Sequence, residues 1–204
     1  MHSPSPERLN TQRHLRGVNR EDIRQANLSL ILGLAHRNSG ISRSDLTTIT
    51  GLNRSTISDL VAELVDLGLV YEDDSTLETT VGRPSISVFA NPKVFSLAFT
   101  PYSTHVVLAA VSLGGKVVHR LNRKISNQPD SFEMAHIAHR MALDILDQLP
   151  DDFRLVGIGA AIPGPVDIRT GSVSFCQELD WVDVEFGSYL QKVFGFPAYV
   201  DNDS

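Results

Sequence analysis

Cysteine is nearly absent from this 204-residue chain. Cys176 stands alone, which excludes a disulfide framework and a thiolate metal cage. Long apolar runs are lacking too: no stretch approaches the roughly 20 apolar residues that span a bilayer. The opening residues are polar and Arg-dotted, without the apolar segment of a secretory leader. A reducing cytoplasm and no membrane attachment are therefore expected. Positive charge is not in excess either. Eighteen Lys and Arg stand against 24 Asp and Glu, a formal net charge of −6, which argues against indiscriminate nucleic-acid binding. The signs are nevertheless uneven. Residues 1–60 hold eight Arg against five acids, and residues 86–204 hold nine basic groups against thirteen acids.

The basic front has a legible organisation. Residues 1–18 read as a disordered arm containing Ser, Pro and Arg. Asn19 can cap a helix along which Ile23, Ala26, Leu30, Ile31 and Leu34 keep helical spacing, and Asn38-Ser39-Gly40 ends it. Ser42 caps a second helix with Asp45 in capping-box position, and Ile41 and Leu46 are placed to staple its start. Asn53 begins a third, with Leu52 and Ile57 as its staple. Gly51 falls where the sharp turn between the two needs positive φ. On the third helix Ile57, Leu60, Val61 and Leu64 share one face, leaving Ser55, Asp59 and Ala62 on the other. Gly68 stops this helix. Leu69-Val70-Tyr71 then begins a wing strand, and Ile86-Ser87-Val88-Phe89 returns it. The tip between them holds Glu72, Asp73, Asp74 and Glu78, then Gly82-Arg83-Pro84.

Two short helices, a tight turn and a β-wing are the organisation of a winged helix-turn-helix, which lays its second helix in a DNA groove. Residues 19–91 are assigned to it. The helix starts offer short polar or basic side chains suited to phosphates and base edges: Ser42, Arg43, Ser44, Asn53, Arg54, Ser55, Thr56 and Ser58. Arg83 is the expected wing contact to backbone or minor groove. The plain alternative is a small helical bundle with ordinary caps. Asp59 and the acidic tip are the features least suited to DNA.

After Asn91-Pro92 the period changes. Phe95–Thr100, His105–Leu113 and Lys116–Ile125 read as three antiparallel strands, with Gly114-Gly115 as the second turn. A helix is expected over Ser131–Leu149, with Met134, Ala138, Met141, Ile145 and Leu149 inward. Leu155–Ile162 is a continuous apolar run, expected as a strand covered on both faces, and Pro163-Gly164-Pro165 breaks it. An extended segment Ser172–Phe175, a helix over Val184–Phe194 and a strand Pro197–Asp201 follow. Gly157-x-Gly159 lacks the third glycine of a dinucleotide fingerprint and reads as buried strand. Glu133, His136 and His139 read as a solvated helix face rather than a metal site. Cys176 reads as a small buried hydrophobe and Trp181 as lobe packing.

The order βββαβ, then αβ, looks like the first lobe of the actin-like, sugar-kinase-type (ribonuclease H-like) fold. Joined to the winged front, the chain resembles the ROK family (repressors, open reading frames and kinases) in its transcriptional-regulator branch. The resemblance is carried by NRSTISDLVAELVDLGLV, VGRPS, VVLAAVSLGGKVV, GIGAAIPGPVDIRTG and FGFPAYVDND. The expected fold class is an α+β winged helix-turn-helix followed by an α/β lobe over residues 92–204.

ROK kinases place an Asp-x-Gly-Gly-Thr loop after the first strand of this lobe, close to ATP phosphates. Here the stretch is Thr100-Pro101-Tyr102-Ser103-Thr104. Only Thr104 matches, and Pro101 and Tyr102 obstruct backbone approach, so no catalytic residue is assigned and no kinase activity is expected. Asn202-Asp203 match the family's pair that binds sugar hydroxyls. In kinases that Asp is the base; in a sensor it is a charge-assisted acceptor. Gly164 matches the loop bordering the sugar.

The resemblance thus implies a DNA-binding regulator, a repressor of carbohydrate-metabolism genes responding to a sugar or sugar derivative. Its partners would be a double-stranded operator and a second copy in a homodimer. A sugar kinase with an accessory DNA-binding front, or a decayed fragment, are the alternatives. ROK proteins continue into a second lobe with a Cys/His zinc motif and Glu and His sugar ligands. None of these occurs in residues 1–204, so the chain reads as truncated. Zinc is expected only with that lobe, and no cofactor is expected in this chain.

Overall fold

The computed structural model describes residues 19–74 and 86–203. The expected arm at 1–18 and the wing tip carrying Arg83 lie outside the described residues. Helix α1 (Arg20–Arg37) opens on a complete capping box: Asn19 Oδ1 accepts from the Asp22 amide at 2.8 Å, and Asp22 Oδ2 from the Asn19 amide at 3.3 Å. The face it buries is Leu28, Ile31 and Ala35, whereas Ile23 and Leu30 remain exposed. This corrects the expected stripe. The helix is apolar on two sides, and only the side packed on the third helix and on the strand Ser87–Ala90 is covered.

Strand β1 (Ile41–Ser42) leads into α2 (Arg43–Thr50), which ends at Gly51 with φ 71. In that left-handed region a side chain is strained and glycine is not. Helix α3 (Arg54–Asp66) buries Ile57, Leu60, Val61 and Leu64. β2 (Val70–Asp73) and β3 (Ser87–Ala90) pair antiparallel, and β1 joins the far edge of β3. That two-residue strand is too short to show a period in the sequence. Leu28, Ile31, Leu46, Ile57, Leu64 and Val88 belong to one apolar core beneath these elements.

A second core lies under a five-stranded sheet. Its elements are β4 (Val94–Pro101), β5 (His105–Ser112), β6 (Val117–Lys124), α4 (Ser131–Leu146), β7 (Arg154–Ile162), α5 (Phe186–Phe194) and β11 (Ala198–Asn202). The strand order is β11-β7-β4-β5-β6, antiparallel through β4, β5 and β6 and parallel through β4, β7 and β11. Between β7 and α5, three short strands form a separate sheet: β8 (Val166–Asp167), β9 (Ser172–Cys176) and β10 (Trp181–Val184). Of these, β8 and β10 were not expected. Trp181 begins β10 and packs its ring 4.8 Å from Phe186. Helix α4 buries Met134, Ala138, Met141 and Ile145 as expected, but Leu149 falls in the turn beyond its end.

The register explains the one-sided core. Leu108, Phe99, Ala160 and Val200 align across the sheet and belong to the same buried cluster as α4 and α5 side chains. The next row, Ala109, Ala98, Gly159 and Tyr199, lies on the opposite face, where Tyr199 is 70% exposed. The expectation that this apolar run is covered on both faces is therefore corrected: on the second face Gly159 and Ala161 are only half-buried. On that face the run offers Gly157, Gly159 and Ala161, small residues that do not demand a covering. Among the described residues no helix is long and apolar enough to cross a membrane.

Phe99 is 1% exposed and sits 6.4 Å from the Phe186 ring. Phe99→Ala is expected to cost about 3–5 kcal/mol, read as a lower urea midpoint at unchanged m value.

Candidate functional site

The third helix presents its N-terminal half to solvent on a fixed footing. Asn53 Oδ1 accepts from the Thr56 amide at 2.9 Å and from Ser55 Oγ at 2.7 Å, so the helix start is held by its own cap. Arg54 and Ser55 stand exposed beside that cap, and Thr56 and Ser58 are half-buried. Ser42 is 4% exposed; its hydroxyl accepts from the Asp45 amide and donates to Asp45 Oδ2 at 2.7 Å. Its place is in the cap of α2 rather than on the surface, while Ser44 is exposed.

Arg43 has a role that spacing did not suggest. Its guanidinium forks onto Glu72, with Nε to Oε1 at 2.7 Å and Nη2 to Oε2 at 2.8 Å, and Nη1 donates to Ser58 Oγ at 2.7 Å. One side chain thus ties α2, the recognition helix α3 and wing strand β2 together. It also neutralises one of the acids that weighed against DNA binding. Asp59 is exposed on a notch between α1 and α3 that also includes Arg20, Arg24 and Asn27. Arg24 is ion-paired with Glu63.

In the lobe, the three candidate ligand residues are brought together by parallel pairing of β7 and β11. Asn202 Nδ2 donates to the Gly164 carbonyl at 2.7 Å, and the Asp203 amide donates to the Ile162 carbonyl at 3.2 Å. Gly164 packs so closely that an added Cβ would stand 2.2 Å from the Phe175 carbonyl oxygen; only glycine fits without moving β9. Cys176 is fully buried next to Gly164, its Cα 3.4 Å from where that added Cβ would stand. Burial pushes its thiol up, against the opposing hydrogen bonds of the Leu179 and Glu178 backbone; the Glu178 and Asp203 carboxylates add a smaller upward push. Asp203 itself is exposed.

The β4–β5 turn, where kinases of the resembling family hold phosphate, is occupied from within. Glu178 Oε1 accepts from the Ser103 amide at 3.2 Å and from Ser103 Oγ at 3.3 Å. Tyr102 stacks on His105 with ring centroids 4.5 Å apart. A carboxylate therefore accepts from the backbone amide of this turn. On α4, His136 and His139 are half-buried against the edges of Phe132 and Phe194, which corrects the expected solvated face. Aromatic neighbours from α4 and α5 account for their position. Among the described residues no group of three or more His, Cys, Asp or Glu side chains is placed to hold a metal ion.

The IclR helix-turn-helix domain model matches residues 28–74. A solved ROK family transcriptional regulator, a homolog of the Escherichia coli Mlc protein, superposes with a TM-score of 0.70 at 25% identity, over 89% of this chain and 46% of that one. The described fold matches that of this solved ROK family regulator. Its winged helix-turn-helix is followed by the α/β lobe of the sugar-kinase-like fold. The xylose repressor of Bacillus spizizenii is 27% identical over 187 residues, covering 89% of this chain and 47% of that protein. The transcriptional repressor Mlc of Escherichia coli is 22% identical over 187 residues, covering 90% and 46%. The chain thus spans about half the length of the curated relatives it matches.

Arg43 and Glu72 side chains are 33% and 25% exposed. A double-mutant cycle on this pair is expected to give a coupling of about 1 kcal/mol in urea unfolding; a coupling indistinguishable from zero would remove the fork as a brace.

Proposed function

We propose that this chain is a sequence-specific DNA-binding repressor whose output is set by a sugar or sugar derivative. The observation that carries the reading is the exposed N-terminal half of α3, capped by Asn53 and braced to the wing through Arg43. In this reading residues 19–91 are the DNA-reading unit. Arg54 and Ser55, with Ser44, Thr56 and Ser58 around them, meet phosphates and base edges in the major groove, and Arg83 meets the flanking backbone or minor groove. Residues 92–204 contribute one wall of a sugar cleft. There Asp203 accepts from ligand hydroxyls, and Asn202 and Gly164 shape the wall. Relatives named xylose repressor support a monosaccharide as effector. The repressor works in the cytoplasm as a homodimer, because palindromic operators match two-fold symmetry.

A kinase reading is disfavoured by the Glu178 carboxylate on the Ser103 amide, since a second anion at that turn would be repelled. A coupled ATPase assay with a hexose and pentose panel checks this: sugar-dependent turnover above background would overturn the regulator-only view.

For DNA binding, the probe is a duplex enriched by the chain from a randomised pool. Arg54→Ala combined with Arg83→Ala is expected to weaken its binding and to lower the slope of log Kobs against log salt by about 2. An unchanged slope would place the interface elsewhere.

A further inference from the structure

The C-terminal end of the recognition helix is held from outside its own domain. The last carbonyls of a helix have no partner within it. Here the Leu67 carbonyl accepts from Arg154 Nη1 at 2.9 Å, and the Gly68 carbonyl from Asn91 Nδ2 at 2.8 Å. Asn91 belongs to the connection between the two units, but Arg154 is the first residue of β7 in the lobe. Its guanidinium sits where the helix dipole is negative, so charge and hydrogen bond act together. The Arg154 backbone is itself fixed, its amide donating to the Lys93 carbonyl at 2.8 Å.

The far end of the same strand is the candidate ligand cleft. The Ile162 carbonyl accepts from the Gly164 amide at 2.9 Å and from the Asp203 amide at 3.2 Å. Eight steps of a parallel strand span about 26 Å; β7 is paired to β4 from Arg154 to Ala160, with one register shift, and to β11 from Ile158 to Ile162. The two pairings overlap at Ile158–Ala160, so the sheet ties the Arg154 end of the strand to its Ile162 end. We propose that Arg154 is a positioning residue for DNA reading: it fixes the C-terminal end of α3 to the strand whose other end forms the candidate ligand cleft. The inference rests on the DNA-reading role proposed above. Arg154 is exposed, so its contact adds little to folding stability while setting how the helix is presented.

Arg154→Met and Arg154→Lys in the full chain test this, on the enriched duplex and a scrambled duplex of equal length. Arg154→Met is expected to bind the enriched duplex about 5-fold or more weakly, to bind the scrambled duplex as the parent does, and to keep its thermal midpoint within about 2 °C. Arg154→Lys, which retains a charged donor, recovers most of the loss. Parent-like binding of the enriched duplex by Arg154→Met would overturn the positioning role and leave the DNA reading intact. Equal loss on both duplexes would make Arg154 a phosphate contact instead, and a lowered midpoint a structural residue; either overturns the proposal. If the parent chain enriches no duplex at all, the DNA reading fails, and the positioning role with it.

Discussion

The parallel pairing of β7 between β4 and β11 is the constraint on which both ends of the molecule depend. It requires small residues. At Gly157 a Cβ would press to 3.0 Å from the Pro197 carbonyl, the same carbonyl that accepts from the Ile158 amide at 3.0 Å. A larger residue there would force the Pro197 carbonyl, just before β11, to give by a few tenths of an ångström. At the other end the same pairing brings Arg154 to the Lys93 backbone and under α3. The lobe is thus a frame that joins the Arg154 contact with α3 to the Gly164, Asn202 and Asp203 group. Burial of Phe99, Met141 and Ile145 against it supplies the cohesion.

Charge reconciles an acidic protein with a DNA-reading role. The chain carries net charge −6, and the wing strand is acidic. Yet Glu72 is bound by Arg43 and Glu63 by Arg24, so two acids near the recognition helix face arginines rather than an approaching phosphate backbone. Arg54 stays exposed at the helix start. Binding of this kind relies on a few local cations and correct helix presentation rather than on a broad positive field, which favours selectivity over affinity.

Much of this was legible in the sequence because the signals are local. Asn19, Ser42 and Asn53 are caps by side-chain chemistry alone, and Gly51 marks the turn by its φ. The Gly164, Asn202 and Asp203 group came from family resemblance, and the parallel sheet brings the three together over 38 residues of separation. What was not legible depends on distant partners. The exposed side of α1 and the buried one are both apolar, so periodicity could not choose between them. The open face of β7 was hidden because small residues score as apolar whether or not they are covered. Arg43 looked like a surface cation because its partner, Glu72, lies 29 residues away. Arg154 carried no motif; its role comes only from an 87-residue contact. Glu178 likewise reaches its place at the Ser103 turn across 75 residues.

The central claim, that α3 reads DNA while mounted on the lobe, is tested most directly by amide hydrogen exchange with and without the enriched duplex. The account predicts new protection concentrated in residues 53–62 at the recognition helix, with a smaller change at 66–70, where Arg154 anchors it, and none on α4. Protection confined to the lobe, or no change in 53–62 at saturating duplex, would contradict it.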